Sequence, residues 1–201
     1  AEALAEPGRF VEAIAAPEFT SAALHVLTTK PKWKANVRLL AVGPADQRPG
    51  GREFRCLEGG LLVQEIDAKA DPESEWKVVT KVSPNEDQLD DLRFAWTIVR
   101  HVKSNAIVLV KDRALVGVGA GQMSRVDSTR IALEKAGAHA HGSVIGSDAF
   151  FPFPDSIEFA AEKGVVAAIQ PGGSKQDESV IASSDVKKLA MIFTGRRHFK
   201  H

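Results

Sequence analysis

The clearest pattern of apolar and polar positions lies between residues 103 and 125. Residues 106–110 form a short apolar run rich in β-branched side chains, and residues 114–120 form a second run after a polar stretch. Two such runs joined by a short turn predict a buried β-hairpin. Polar residues precede the first run, and a glycine-rich segment leads from the second run into a helical pattern. Because α/β proteins build sites where strand ends face helix starts, this stretch is a candidate functional site.

A helical period dominates residues 86–101, where Leu89, Leu92, Ala95, Trp96 and Val99 recur at spacings of three and four. Acidic residues in the first turn support the same prediction. Further patterns predict helices at 21–29 with Thr20 as the N-cap, 126–136 ending at Gly137, 155–163 and 175–188, and strands at 10–16, 37–42, 143–146, 165–169 and 189–193. Residues 54–65 read as extended, with Gly59-Gly60 marking a bulge or a tight backbone approach.

The order of elements from residue 86 is α-β-β-α-β-α-β-α-β. A hairpin followed by right-handed crossovers predicts an α/β fold of three αβα layers, with a mixed sheet of a hairpin plus parallel strands. This succession matches the cytidine deaminase-like layout. A zinc deaminase itself is excluded, because the sequence has neither H-x-E nor P-C-x-x-C. We expect residues 1–83 to be the tail of a preceding, similar α/β subdomain with a connector, and residues 84–201 to be the C-terminal subdomain.

Charge and composition narrow the classes of function. Lys plus Arg and Asp plus Glu both number 26, so the net charge of zero argues against a nucleic-acid-binding protein. No apolar run is long enough to span a membrane. The single cysteine, Cys56, excludes an intrachain disulfide and indicates a reducing, cytoplasmic location. The chain starts at Ala1 without a methionine, which indicates a fragment or a processed product.

Asn105 and Arg125 are the polar candidates at the two ends of the hairpin. An amide at the entrance of a buried strand can donate to and accept from one ligand, although capping a backbone group is its commoner fate. A guanidinium beside the free N–H groups of a helix start suits an anion, although a surface arginine near an N-cap would look the same. The glycines at 117, 119 and 121 do not complete a dinucleotide or phosphate-binding motif, and they are also typical of a tightly packed strand.

Two further segments carry unusual side chains. Residues 148–154 place Phe150, Phe151 and Phe153 among prolines, which would suit a wall for a planar heterocycle or a hydrophobic plug under a turn. The last residues include Arg197 and His201. A docked tail could deliver this arginine to a phosphate and this histidine to a proton-transfer position, whereas a solvated basic tail is the other reading.

Together these segments resemble one family over nearly the whole chain and in order. The matching stretches are residues 10–17, 59–64 (GGLLVQ), 101–107 (HVKSNAI), 117–125, 147–153 (SDAFFPF), 170–174 (QPGGS) and 194–201 (TGRRHFKH). The family is the bifunctional purine-biosynthesis group that combines AICAR transformylase with IMP cyclohydrolase. The likeness reaches only the C-terminal part of the transformylase region.

The resemblance implies transfer of a formyl group from the co-substrate 10-formyltetrahydrofolate to the 5-amino group of AICAR. Asn105 would then orient the carboxamide and the formyl donor, and His201 would act near the reacting groups. The resemblance further assigns Arg125, Phe150, Phe151 and Pro152 to the pocket, Arg197 to the ribotide phosphate, and Ser104 and Asp148 to a potassium site. Family members are homodimers that share active sites between subunits.

One part of the family pattern has no match in this sequence. The family's proton-transferring segment has the form Lys-His-x-x-Pro, whereas the one Lys-His pair here is Lys200-His201 in the tail. The expectation is therefore half a site, completed by a partner subunit or by an upstream transformylase/cyclohydrolase segment. The alternative is a binding and dimerisation module that holds AICAR ribotide or folate without turnover. Neither reading involves nucleic acid or a membrane.

Overall fold

The computed structural model describes residues 1–44, 51–67 and 71–200. The chain folds as two compact units, Ala1–Ala68 and Lys69–His201. None of the helices in the described residues is both long and apolar enough to cross a bilayer.

The N-terminal unit contains two small helices and two separate two-stranded sheets in its described residues. Thr20 caps its longer helix as expected, because its hydroxyl accepts a hydrogen bond from the backbone of Ala23 at 3.2 Å. β1 and β2 pair in parallel, and β3 and β4 pair antiparallel. The elements are α1 (Glu2–Ala5), β1 (Ala13–Ala16), α2 (Ser21–Thr29), β2 (Arg38–Ala41), β3 (Arg52–Leu57) and β4 (Gly60–Glu65).

The expected bulge at Gly59-Gly60 is wrong. Leu57 pairs directly with Gly60, so Glu58 and Gly59 form the turn of a hairpin, and Gly59 has a φ of 81°. A side chain at Gly59 or Gly60 would meet no atom within 4 Å, so no backbone approaches closely there either. All six residues of β4 are exposed, and the hairpin carries the exposed apolar side chains Phe54, Leu57, Leu61, Leu62 and Val63.

The C-terminal unit contains the expected order of elements from α3 onward. The helices and strands of this unit, including one strand before α3, are β5 (Lys77–Val78), α3 (Glu86–Val99), β6 (Ile107–Lys111), β7 (Ala114–Gly119), α4 (Arg125–Ala136), β8 (Val144–Ser147), α5 (Asp155–Glu162), β9 (Ala167–Gln170), α6 (Asp177–Val186) and β10 (Ala190–Phe193). The six strands form one sheet in the order β5-β10-β9-β8-β6-β7. β8, β9 and β10 are parallel neighbours, whereas β6, β7 and β5 pair antiparallel, so the sheet is mixed as expected.

Alternation along the central strands gives the sheet two buried faces. Ile107 and Leu109 of β6 belong to a core shared with α4, α5 and α6. Val108 and Val110 belong to a second core, which contains the apolar side of α3. Helices therefore cover both faces, and the three-layer αβα prediction is confirmed.

The connector before α3 belongs to the C-terminal unit in this structure. Val78 of β5 pairs with Ile192 of β10, and the backbone N–H of Val79 donates to the carbonyl of Met191 at 3.0 Å. The expected boundary after residue 83 lies later in the chain than the observed division. A strand of two residues has no period of its own, so the sequence pattern could not assign it to a sheet.

The turn between β6 and β7 is stabilised by a side chain of α3. Asp112 and Arg113 have φ values of 53° and 56°, the left-handed region that a tight two-residue turn requires. Their backbone N–H groups donate to the two carboxylate oxygens of Asp91 on α3, at 3.0 and 2.6 Å. The carboxylate thus compensates a turn whose residues are not glycine.

Candidate functional site

A cavity of about 530 Å³ opens where the entrance of β6 meets the start of α4. This position follows from the hairpin, which brings the polar residues before β6 beside the segment after β7. The cavity brings together residues that were proposed from sequence, such as Asn105, Arg125 and Phe150, and residues that were not. Its lining includes Asn105, Ser124, Arg125, Phe150, Pro152, Phe153, Asp155 and Phe199.

Asn105 is oriented from both ends of its side-chain amide. Its Nδ2 donates to the carbonyl of Gln122 at 2.9 Å, and its Oδ1 accepts from the guanidinium of Arg125 at 3.0 Å. The hydroxyl of Ser128 on α4 donates to its backbone carbonyl at 2.7 Å. An amide can make four hydrogen bonds, so among the described residues one N–H and one lone pair of the oxygen have no partner.

Arg125 is the first residue of α4 and is buried, with Ser124 capping the helix before it. Its guanidinium donates to Asp148 at 2.6 Å and to the hydroxyl of Ser147 at 2.8 Å. The side chains of Arg125 and Asp148 are 5% and 0% exposed, so each charge needs the other. Arg125 therefore lines the cavity mainly by fixing Asn105, rather than as a free anion-binding group.

Ser104 and Asp148 contact one another directly. The hydroxyl of Ser104 donates to one carboxylate oxygen of Asp148, and the other oxygen accepts from Arg125 and from the backbone of Ala106. An alkali cation needs several oxygen ligands with unused lone pairs, and here a guanidinium already supplies the positive charge. The described residues therefore do not fit a potassium ion at Ser104 and Asp148.

The aromatic segment divides between the cavity and the core. Phe150 and Pro152 line the cavity. Phe151 does not line it, because its side chain is fully buried in the core shared with α4 and α5. Its backbone N–H donates to the side chain of Gln170 at 3.0 Å, which fixes the segment to the end of β9. Phe151 therefore fits the interpretation as a hydrophobic plug, whereas a wall for a planar heterocycle stays a prediction for Phe150.

The C-terminal tail is docked against the C-terminal unit. The backbone of Ser104 donates to the carbonyl of Lys200 at 2.8 Å, and the backbone of His198 donates to the carbonyl of Asp148 at 3.0 Å. Arg197 lies with its guanidinium carbon 4.8 Å from the centroid of the Phe150 ring. The tail therefore reaches the cavity wall, while His201 lies outside the described residues.

Sequence patterns did not identify Asp71 and Trp96 as the residues whose buried side chains hold the tail at His198. Asp71 lies 2.6 Å from the ring of His198 and accepts a hydrogen bond from the indole of Trp96 at 2.8 Å. Asp71 lies in a charged stretch that resembles an ordinary surface loop. The signal available was the aromatic and basic composition of the tail, which indicates docking without naming the partner.

Close packing places α4 against β7. A Cβ atom at Gly119 would lie 1.9 Å from the carbonyl oxygen of Ser128, and one at Gly117 would lie 2.2 Å from that of Ala132. The interpretation as packing residues is confirmed for Gly117 and Gly119, whereas a side chain at Gly121 would meet no atom within 4 Å. Their small size allows Ser128 and Arg125 to reach Asn105.

Comparison with known families gives a match over most of the chain. The family model described as the AICARFT/IMPCHase bienzyme matches residues 1–135. Curated proteins named bifunctional purine biosynthesis protein PurH are similar to this chain along all or nearly all of its length. The one from Rhodopirellula baltica is 56% identical over 201 residues, the one from Bacillus subtilis 50% over 192, and the one from Sorangium cellulosum 52% over 205.

The coverage is unequal between the two sides of each comparison. The matches cover 96–100% of this chain but 37–38% of those relatives, so the chain spans well under half of their length. Among solved structures, RibD from Acinetobacter baumannii (form 2) is similar with a TM-score of 0.38 and 16% identity, covering 55% of this chain and 36% of that one. That likeness is too weak to decide between fold families.

Proposed function

Because the chain belongs to the AICARFT/IMPCHase bienzyme family, we propose that it forms the C-terminal portion of an AICAR formyltransferase. The reaction would move a formyl group from 10-formyltetrahydrofolate to the 5-amino group of AICAR in purine biosynthesis. The observation that carries the proposal is the convergence of three sequence-distant parts on one cavity. Asn105 and Phe150 line it, and Arg197 lies on the ring of Phe150.

The chemistry explains why such a cavity is useful. The amine of AICAR is a poor nucleophile, since the imidazole ring and the carboxamide withdraw its electrons. Catalysis must align amine and formyl carbon, remove a proton and stabilise the developing oxyanion. A preoriented amide can fix the carboxamide. Asn105 has this capacity, because one N–H and one lone pair of its amide have no partner within the described part of the chain.

The cavity walls and the tail suit the rest of such a substrate. The rings of Phe150, Phe153 and Phe199 offer apolar surface for a planar heterocycle. Within the described residues, the guanidinium of Arg197 makes no hydrogen bond or ion pair, so it can bind a phosphate. We further propose His201 as the group that acts near the reacting atoms, in proton transfer.

The partners and the setting are proposed on separate grounds. The exposed apolar side chains of the β3–β4 hairpin support a surface that is covered by another polypeptide, either a second copy or a longer transformylase/cyclohydrolase chain. The element order of the C-terminal unit supports a cytidine deaminase-like layout. The single, exposed Cys56 supports a cytoplasmic location.

The alternative is a binding module without turnover, which the absence of a Lys-His-x-x-Pro segment from these 201 residues favours. A formyl-transfer assay on the 201-residue chain, with AICAR and 10-formyltetrahydrofolate, distinguishes the two. We expect binding of AICAR ribotide without measurable formyl transfer. Turnover by this chain alone would refute the half-site, and no binding of ribotide would refute the proposed function itself.

A further inference from the structure

We propose that Asp71 is a positioning residue, which holds the C-terminal tail so that the guanidinium of Arg197 stays on the cavity wall. The proposal rests on the proposed function only for the identity of the ligand. Asp71 precedes the 3₁₀ turn Glu73–Glu75 in the connector before β5 and does not line the cavity. Any effect on ligand binding must therefore be indirect, and the contacts of Asp71 with Arg196 and His198 lead to the tail.

Asp71 contacts both neighbours of Arg197. One carboxylate oxygen lies 2.6 Å from Nε2 of His198, and the other lies 3.6 Å from Nε of Arg196. The side chains of Asp71 and His198 are 5% and 2% exposed, so water cannot replace this contact. The guanidinium of Arg196 also pairs with Glu75 at 3.0 Å, which adds a second link to the same connector.

The contact is itself fixed by α3. The indole N–H of Trp96 donates to the oxygen of Asp71 that faces His198, and the centroids of the indole and imidazole rings are 4.8 Å apart. The backbone of His198 is held independently by Asp148. The tail residue after Arg197 is thus anchored through its side chain and its main chain.

The position of the Arg197 side chain depends on this anchoring, because few interactions of its own hold it in place. Its side chain is exposed, and in the described part of the chain its guanidinium makes a cation–π contact with the ring of Phe150 but no hydrogen bond or ion pair. A long, rotamer-rich side chain held by one exposed cation–π contact is weakly ordered. Fixing residues 196 and 198 toward Asp71 leaves residue 197 directed at Phe150, where an anionic group of a ligand would meet it.

The first test needs no ligand. In arginine-labelled protein, the ring of Phe150 should displace the δ-methylene proton resonances of Arg197 upfield, and Phe150→Leu calibrates the undisplaced position. We expect Asp71→Ala to lose this displacement.

Asp91→Ala is the matched control, since it removes a buried carboxylate with two hydrogen bonds at the hairpin turn and should retain the displacement. If Asp71→Ala does not fold, His198→Ala removes the tail side of the same contact and is expected to lose the displacement too. Full displacement in the folded variant would overturn the proposal.

The second test measures affinity for AICAR ribotide and for its phosphate-free riboside by calorimetry. Asp71→Ala should weaken ribotide binding about tenfold and leave riboside binding unchanged, as expected for loss of one oriented charged contact. Combined with Arg197→Ala, it should cause no further loss, because both changes remove the same contact. Losses that multiply would contradict positioning through Arg197. If the unaltered chain binds no ribotide, the proposed function fails, while the resonance displacement still decides the role of Asp71.

Discussion

The two polar residues assigned to the ligand differ in how far the protein already uses them. Asn105 has hydrogen bonds at both ends of its amide, to Gln122 and Arg125, so its orientation is set before a ligand arrives. Arg197 has a cation–π contact with Phe150 and, in the described residues, no hydrogen bond. Preorganisation at one and availability at the other fit a carboxamide and a phosphate, respectively.

Arg197→Ala should weaken binding of AICAR ribotide by roughly 1.5–3 kcal/mol, the range for hydrogen bonds to charged groups. Riboside binding should not change, because it lacks the phosphate. Calorimetric titration of both ligands measures the difference. Arg130→Ala on α4 is the control, since Arg130 is also exposed, pairs with Asp127 and does not itself line the cavity. Equal losses for the two ligands, or no loss at all, would remove Arg197 from the phosphate.

At the scale of elements, the site depends on how closely α4 lies against β7. Gly119 allows the carbonyl of Ser128 to approach, and the hydroxyl of Ser128 then supports the backbone of Asn105. Arg125, at the start of the same helix, supports its side chain. One helix therefore fixes both the main chain and the amide of the residue at the entrance of β6.

Gly119→Ala should destabilise the fold by about 3 kcal/mol or more, because the new Cβ would overlap a backbone oxygen that cannot move alone. Gly121→Ala is the matched comparison two residues later. Gly121 has a φ of 65° and open space around it, so its cost should be only about 1–2 kcal/mol of backbone strain. Urea unfolding followed by circular dichroism gives both values. A smaller loss for Gly119→Ala than for Gly121→Ala would show that α4 does not depend on this approach.

At the scale of the whole molecule, the sequence predicted the order of elements from α3 onward, but neither the β3–β4 hairpin nor every contact. Long periodic segments such as α3 were predictable, because burial repeats along them. The pairing of Asp71 with His198, 127 residues apart, leaves no periodic trace. Composition also could not separate Phe150 from Phe151, since neighbouring aromatic residues can face opposite sides of a loop. The ion pair of Arg125 with Asp148 was hidden for the same reason: a local pattern does not show which charges meet.

The central claim is that Asn105 and Arg197 act on one ligand, and nuclear magnetic resonance can test it within a single titration. During addition of AICAR ribotide, the side-chain amide of Asn105 and the side chain of Arg197 should shift together and give one dissociation constant. The amide of Asn85, which caps α3, should not shift. Ribotide that binds without moving the resonances of Asn105, or two different dissociation constants for the two residues, would contradict a common site.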